Sequence, residues 1–209
     1  MKKINWQSII PISILLCLMA LLPFLILKKN KEPELLPLLG RLPPFVLINQ
    51  NEEKVPTEEF WGAVLVVNFI FTSCPDSCPL LTSQMAKIQS MIEDPRYSDV
   101  KLLSITVDPS TDTASVLKHY AEKYNANFNR WSFLTGSVSE VQKVVSDGFK
   151  ISMQKQGASD DAIKDVTIMD LTHGEQFVVV DKNGDIRAYR SAATPQDLDR
   201  ILSVLDKLI

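Results

Sequence analysis

The chain is poor in the residues that most often carry chemistry. Its 209 residues include only 3 cysteines, 2 histidines and 7 glycines. Three cysteines are too few to staple a small secreted fold, so any cysteine chemistry must be local. Acidic residues are absent from the first 31 positions, which hold five of the 22 basic ones: Lys2, Lys3, Lys28, Lys29 and Lys31. Residues 32–209 therefore carry 17 basic against 25 acidic residues. Such an acidic body has no basic stripe to neutralise phosphates, which argues against nucleic acid as a partner. The remaining composition, 45% hydrophobic and 22% charged, is globular and excludes collagen-like, low-complexity and disordered chains. The length allows one domain, or two small ones.

What is present begins with an apolar run. From Ile9 to Leu27 there is no charged residue. A helix of that length covers about 28 Å at ~1.5 Å per residue, close to the thickness of a bilayer core. Pro11 and Pro23 sit near its ends, and Trp6 is placed for the interface. A cleaved signal peptide would need a small-x-small site, which Pro23-Phe24-Leu25-Ile26-Leu27-Lys28 does not offer. A lipidated Cys17 would need a small residue before it, and Leu16 stands there. Residues 1–31 thus read as an uncleaved single-pass anchor spanning about 9–27, with Cys17 as a small apolar side chain within it. Lysines on both flanks leave the orientation unset by charge. Residues 32–44, with Pro33, Pro37, Pro43 and Pro44, read as a semi-extended tether.

Residues 45–209 read as one α/β domain. Short strands are expected at 45–48 and 131–134. Long buried strands are expected at 64–71 and 100–107, where apolar runs are nearly continuous. Helical spacing marks 80–92 through Leu81, Met85, Ile88 and Ile92, and 113–124 through Val116, Leu117, Tyr120 and Ala121. Ser137 and Glu140 form a capping box for a helix running to about Phe149. Strands at 176–180 and 186–190 flank Asn183-Gly184, whose positive φ would close a hairpin. Thr194-Pro195 then opens a last helix as N-cap and first helical residue. The order β-α-β-α-β-α-β-β-α is a thioredoxin-like arrangement closed by a C-terminal hairpin and helix. Residues 150–170 are polar and irregular, an insertion before the hairpin.

The chemistry is expected at Cys74 and Cys78, where Phe71-Thr-Ser-Cys-Pro-Asp-Ser-Cys-Pro79 joins the first long strand to the first helix. Cysteines at i and i+4 on a helix share a face, with Cα atoms ~6 Å apart, within disulfide reach. A helix N-terminus favours the thiolate, the form that binds metals and attacks disulfides. A strand-to-helix elbow should place both near the surface, so buried structural thiols are the weaker reading. Spacing alone leaves metal binding and redox chemistry open. Two thiolates under-coordinate a soft cation, so a third ligand is sought among two histidines. His119, within Val116-Leu-Lys-His-Tyr-Ala, reads as a solvated helix residue. His173, in Asp170-Leu-Thr-His-Gly-Glu, precedes the hairpin, and a Cys2His set without a carboxylate suits Cu(I).

Three blocks, NFIFTSCPDSCPLLTSQM, then SITVDPSTDTASVLKHYAEKYN with WSFLTG, then LTHGEQFVVVDKNGDIRAY, resemble the Sco/SenC family over residues from about 40 to 208. These are membrane-anchored, thioredoxin-like copper-binding proteins that assist assembly of cytochrome c oxidase. The resemblance implies Cys74, Cys78 and His173 as copper ligands, and Asp108 as a supporting residue close to the metal loop. Where many members carry Asp before the ligand histidine, this chain has Thr172, with Asp170 two residues upstream. Where members carry Gly-Lys before the first long strand, it has Gly62-Ala63. Met153 and Met169 read as packing residues rather than extra soft ligands.

Three functions follow as expectations. The leading one is a metallochaperone that passes copper, Cu(I) with Cu(II) left open, to the binuclear copper site of cytochrome c oxidase. Its partners would be the oxidase's copper-bearing subunit and an upstream thiol reductant or copper donor. The second, a thiol-disulfide reductase keeping the oxidase's copper-site cysteines reduced, needs Cys74 and Cys78 but not His173. The third, a peroxidase or redox sensor, fits the paired cysteines least. The N-terminus lacks the Arg-rich, Ser-rich character of a mitochondrial presequence. The expected location is therefore a bacterial cytoplasmic membrane, and since the resemblance implies an oxidase copper centre facing the outer side, the domain is expected on the outer, periplasmic side.

Overall fold

The computed structural model describes residues 36–73, 77–151 and 176–209. Expectations that fall on the apolar span and its flanks, on Cys74, and on residues 152–175 with Met153, Met169, Asp170, Thr172 and His173 lie outside the described residues. Among the described residues no helix is long and apolar enough to cross a membrane.

Among the described residues eight strands form one sheet: β1 Gly40–Arg41, β2 Val46–Asn49, β3 Lys54–Pro56, β4 Val64–Ile70, β5 Val100–Thr106, β6 Trp131–Thr135, β7 Gln176–Val180 and β8 Asp185–Ser191. They lie in the order β1-β8-β7-β4-β5-β6-β2-β3. The central trio β4, β5 and β6 is parallel, and every other pairing is antiparallel. Four α-helices of the described residues cover it: α1 Ser77–Met91, α2 Ala114–Glu122, α3 Val138–Gln142, prolonged by a π-helical turn over Lys143–Gly148, and α4 Pro195–Leu205.

The seven residues of β4 are all buried, as a parallel strand covered on both faces requires. Val64, Val66 and Ile70 join the core built with Leu81, Met85 and Ile88 of α1, Leu117 of α2 and Ile201 of α4. Leu65, Val67 and Phe69 face the opposite way, toward Val141 of α3 and Val144, Val145 and Phe149 beyond it. Asn68 breaks the apolar run without breaking the strand. Trp131 Nε1 donates to Ser104 Oγ at 2.9 Å, and Ser104 Oγ donates to Asn68 Oδ1 at 2.6 Å, a polar thread across three strands.

The described end of the Pro-rich stretch joins the domain rather than standing off it. Gly40 and Arg41 pair with Ile186 and Asp185, Leu42 is buried, and Leu36 O accepts from Arg187 Nη1 at 3.2 Å. The hairpin turn forms where expected, but only Gly184 takes positive φ, at 80°. Gly184 N donates to Asp181 O at 2.9 Å, and the strand pairing shifts between Val179 and Val180. The Ser137–Glu140 capping box is present. At α4, Asp197 accepts from both the backbone N–H and the hydroxyl of Thr194, at 3.0 and 2.7 Å.

Candidate metal centre

The parallel pairing of β4 and β5 brings their carboxyl ends together, with Ile70 opposite Thr106. In open α/β sheets the crevice beyond such ends is where ligands bind. Val107 N donates the last ladder bond to Ile70 O at 2.8 Å, and beyond it the two chains separate. One leads through Thr72 toward the cysteine motif, the other through Asp108 to α2. On the other side of β4, β7 runs antiparallel with Val178 opposite Val67, so the chain enters β7 at the sheet end where β4 stops.

Cys78 is the second residue of α1, whose first turn contains no acidic side chain. The unsatisfied N–H groups of that turn favour a nearby negative charge, the electrostatic setting a thiolate needs. Pro79 is tolerated because first-turn N–H groups have no helical partner. The expectation that Cys78 would lie near the surface is corrected: it is only 4% exposed. Starting α1 at Ser77 rather than Leu80 puts Cys78 on the same inward stripe as Leu81, Thr82 and Met85.

A buried hydrogen-bonded group lies beneath it. Thr82 Oγ1 donates to Cys78 O at 2.8 Å, the back-bond by which a helical threonine reaches the preceding turn. That commits the threonine's one hydroxyl proton, so Tyr120 Oη, 2.8 Å away, donates to Thr82 Oγ1. Burial pushes the Tyr120 phenol well above its ordinary range, and Tyr124 and Cys78 add to it. Tyr120 also packs against Tyr124, with ring centroids 5.1 Å apart.

Asp112 is the residue the sequence did not disclose. Fully buried, it accepts from Thr72 N at 3.1 and 3.3 Å, from Thr72 Oγ1 at 2.5 Å and from Thr106 Oγ1 at 2.6 Å. Nothing local signals this, because Asp112 precedes the α2 N-cap Thr113 and looks like an ordinary helix-start residue. Asp108, expected to support the metal loop, is half-buried at the same sheet end. Its N–H donates to Thr106 Oγ1 at 3.0 Å, and its carbonyl accepts from Thr111 N and Asp112 N. His119 is exposed on α2, 4.0 Å from Glu122. It borders an open groove of about 300 Å³ with Thr72, Ser115, Val116, Tyr120 and Lys123.

Among the described residues no three His, Cys, Asp or Glu side chains are grouped to hold a metal ion. Two of the three expected ligands, Cys74 and His173, lie outside them. Of the expected set the structure places Cys78 and Asp108 at one sheet end. The sulfur of Cys78 at the positive end of a helix suits a soft cation.

Comparison with known proteins bears on the same region. The model of the SCO1/SenC family matches residues 40–209. The SCO1 protein homolog of Bacillus subtilis is 31% identical over 168 residues, covering 80% of this chain and 82% of that one. A Stutzerimonas stutzeri protein named for copper binding is 28% identical over 204 residues, 94% of this chain and 93% of that one. Among solved structures, BsSco aligns with a TM-score of 0.68 at 30% identity, covering 82% of this chain and 95% of that one. It is described as a member of the Sco family of cytochrome c oxidase assembly proteins, with a disulfide switch.

Proposed function

Since the chain belongs to the SCO1/SenC family, we propose that it is a copper metallochaperone for cytochrome c oxidase. In this reading Cys74 and Cys78 bind copper as thiolates, His173 completes the set, and Asp108 supports it. The copper is cargo, handed by ligand exchange to the binuclear copper site of the oxidase's copper-bearing subunit. The observation that carries the reading is the place of Cys78, in the first turn of α1 beyond the carboxyl ends of β4 and β5. The entry of β7 at the same sheet end supports His173, three residues before Gln176 in sequence, as the distal ligand. A relative named for copper binding and another described in oxidase assembly support the cargo and the partner.

The cysteines must be reduced before copper binds, because a disulfide has no thiolate to offer. An upstream thiol reductant or copper donor is therefore part of the proposal. So is anchoring by residues 9–27 in a bacterial cytoplasmic membrane, with the domain on the outer side. The disulfide switch described for BsSco favours keeping a second reading, a thiol-disulfide reductase acting on the oxidase's copper-site cysteines.

Anaerobic Cu(I) titration of the reduced chain separates the two. The chaperone reading expects one tight equivalent, lost in Cys74→Ser, Cys78→Ser and His173→Ala and kept in His119→Ala. Undiminished binding in His173→Ala would remove the Cys2His site and leave the reductase reading.

A further inference from the structure

Resting on the copper reading above, we infer that Asp112 is a positioning residue for the cysteine loop and acts through Thr72. The chain leaves β4 at Ile70, whose carbonyl takes the last ladder bond from Val107. Thr72 stands two residues further on, where no neighbouring strand receives its N–H. The Asp112 carboxylate supplies that missing acceptor and takes the Thr72 hydroxyl as well. Through Thr106 Oγ1 the same carboxylate is tied to the end of β5, and the backbone N–H of Asp112 is tied to Asp108 O at 2.9 Å. Each side needs the other. A fully buried carboxylate is costly without donors, and the buried Thr106 hydroxyl is costly without an acceptor.

Thr72 lies only two residues before Cys74 in sequence. Fixing it against β5 settles, in the apo fold, part of the ordering that ligand binding or disulfide formation would otherwise have to provide. Asp112 therefore sets how well the cysteine pair is organised, without touching copper. A carboxylate that merely knitted two loops together would change the stability of the fold and leave copper affinity and thiol chemistry of the folded protein alone.

The test uses the full chain in detergent, with Asp112→Asn, Thr72→Val, Thr72→Ser and the double variant Thr72→Val/Asp112→Asn. Cu(I) affinity is read by competition and the Cys74–Cys78 midpoint potential by equilibration with a thiol buffer. Both are measured where urea unfolding shows each protein folded. Asp112→Asn and Thr72→Val should each lose about tenfold or more in Cu(I) affinity, the scale expected when a ligand's supporting hydrogen bonds are removed. Both should also shift the midpoint potential. Thr72→Ser, which keeps the hydroxyl, should stay near wild type, and the double variant should be no worse than the worse single one. Wild-type affinity and potential in folded Asp112→Asn would overturn the inference, as would losses that simply add. If Asp112→Asn does not fold, the contrast between Thr72→Val and Thr72→Ser decides. A wild-type chain that bound no Cu(I) would sink the copper reading, while the midpoint potentials would still decide the role of Asp112.

Discussion

Tyr120 donates its phenolic proton to Thr82 Oγ1 at 2.8 Å, and Thr82 passes the bond on to the carbonyl of Cys78 at 2.8 Å. A residue of α2 thereby supports the first turn of α1 from beneath, inside the apolar core that both helices share. Such a relay is stabilising only while every member is satisfied.

Tyr120→Phe should lower unfolding stability by about 1 kcal/mol, the usual net worth of one buried hydrogen bond. Thr82→Val should cost more, since it removes the bond to Cys78 O as well as the one with Tyr120. Urea denaturation at neutral pH measures both. The phenol's pKa is raised in the fold, first by burial, so its stabilising effect is whole below the unfolded tyrosine value of about 10. It is lost as pH rises above that value. The alkaline fall in stability should therefore be shallower in Tyr120→Phe, and equal slopes would contradict this.

Asp181 gives the opposite sign at the hairpin. Burial raises its pKa, but hydrogen bonds from Arg187 Nε at 2.7 Å and from the N–H groups of Asp185 and Asn183 outweigh it and hold the carboxyl below its usual range. A depressed carboxylate stabilises above its unfolded pKa and ceases to as pH falls through the folded one. Stability should fall below about pH 4, and Asp181→Asn should flatten that acid limb. Unfolding curves between neutral pH and pH 3 check it.

Gly148 tests how firmly the Pro-rich stretch is bound to the domain. A Cβ added there would collide with Cγ and Cδ of Pro43, whose ring has little freedom to move. Gly148→Ala should cost about 1–3 kcal/mol, the range for overpacking a filled site. A neutral result would mean that Pro43 leaves that surface without loss.

Much of this was legible because single patterns encode it. The unbroken apolar run of β4, the 3.6-residue spacing of Leu81, Met85 and Ile88, and the Ser137–Glu140 box each point to one local structure. The two shortest strands were not legible. Lys54–Pro56 and Gly40–Arg41 pair only at sheet edges, and three or two residues give no readable alternation. Nor was the π-helical turn, because Val144, Val145 and Phe149 fit an α-helix equally well until Phe149 N is seen to donate to Val144 O. At the site, the elbow carrying Cys78 could be read from strand, cysteine and helix in succession. Its burial could not, because it depends on where α1 starts and on Tyr120. Asp112 was hidden for a related reason: its partner Thr72 lies 40 residues earlier, and only the β4–β5 pairing brings them together.

Delivery is the claim on which the function rests, and transfer of the metal tests it most directly. The Cu(I)-loaded chain is mixed anaerobically with the reduced, copper-free copper-bearing domain of a cytochrome c oxidase, the two are separated, and copper is measured in each. A chaperone loses its copper to that domain, and a chain with His173→Ala, unable to load, delivers none. Copper that stays on the chain, while the copper-free reduced chain reduces the domain's cysteines in a parallel mixture with the oxidised domain and itself ends as the Cys74–Cys78 disulfide, would contradict delivery and identify a thiol-disulfide reductase instead.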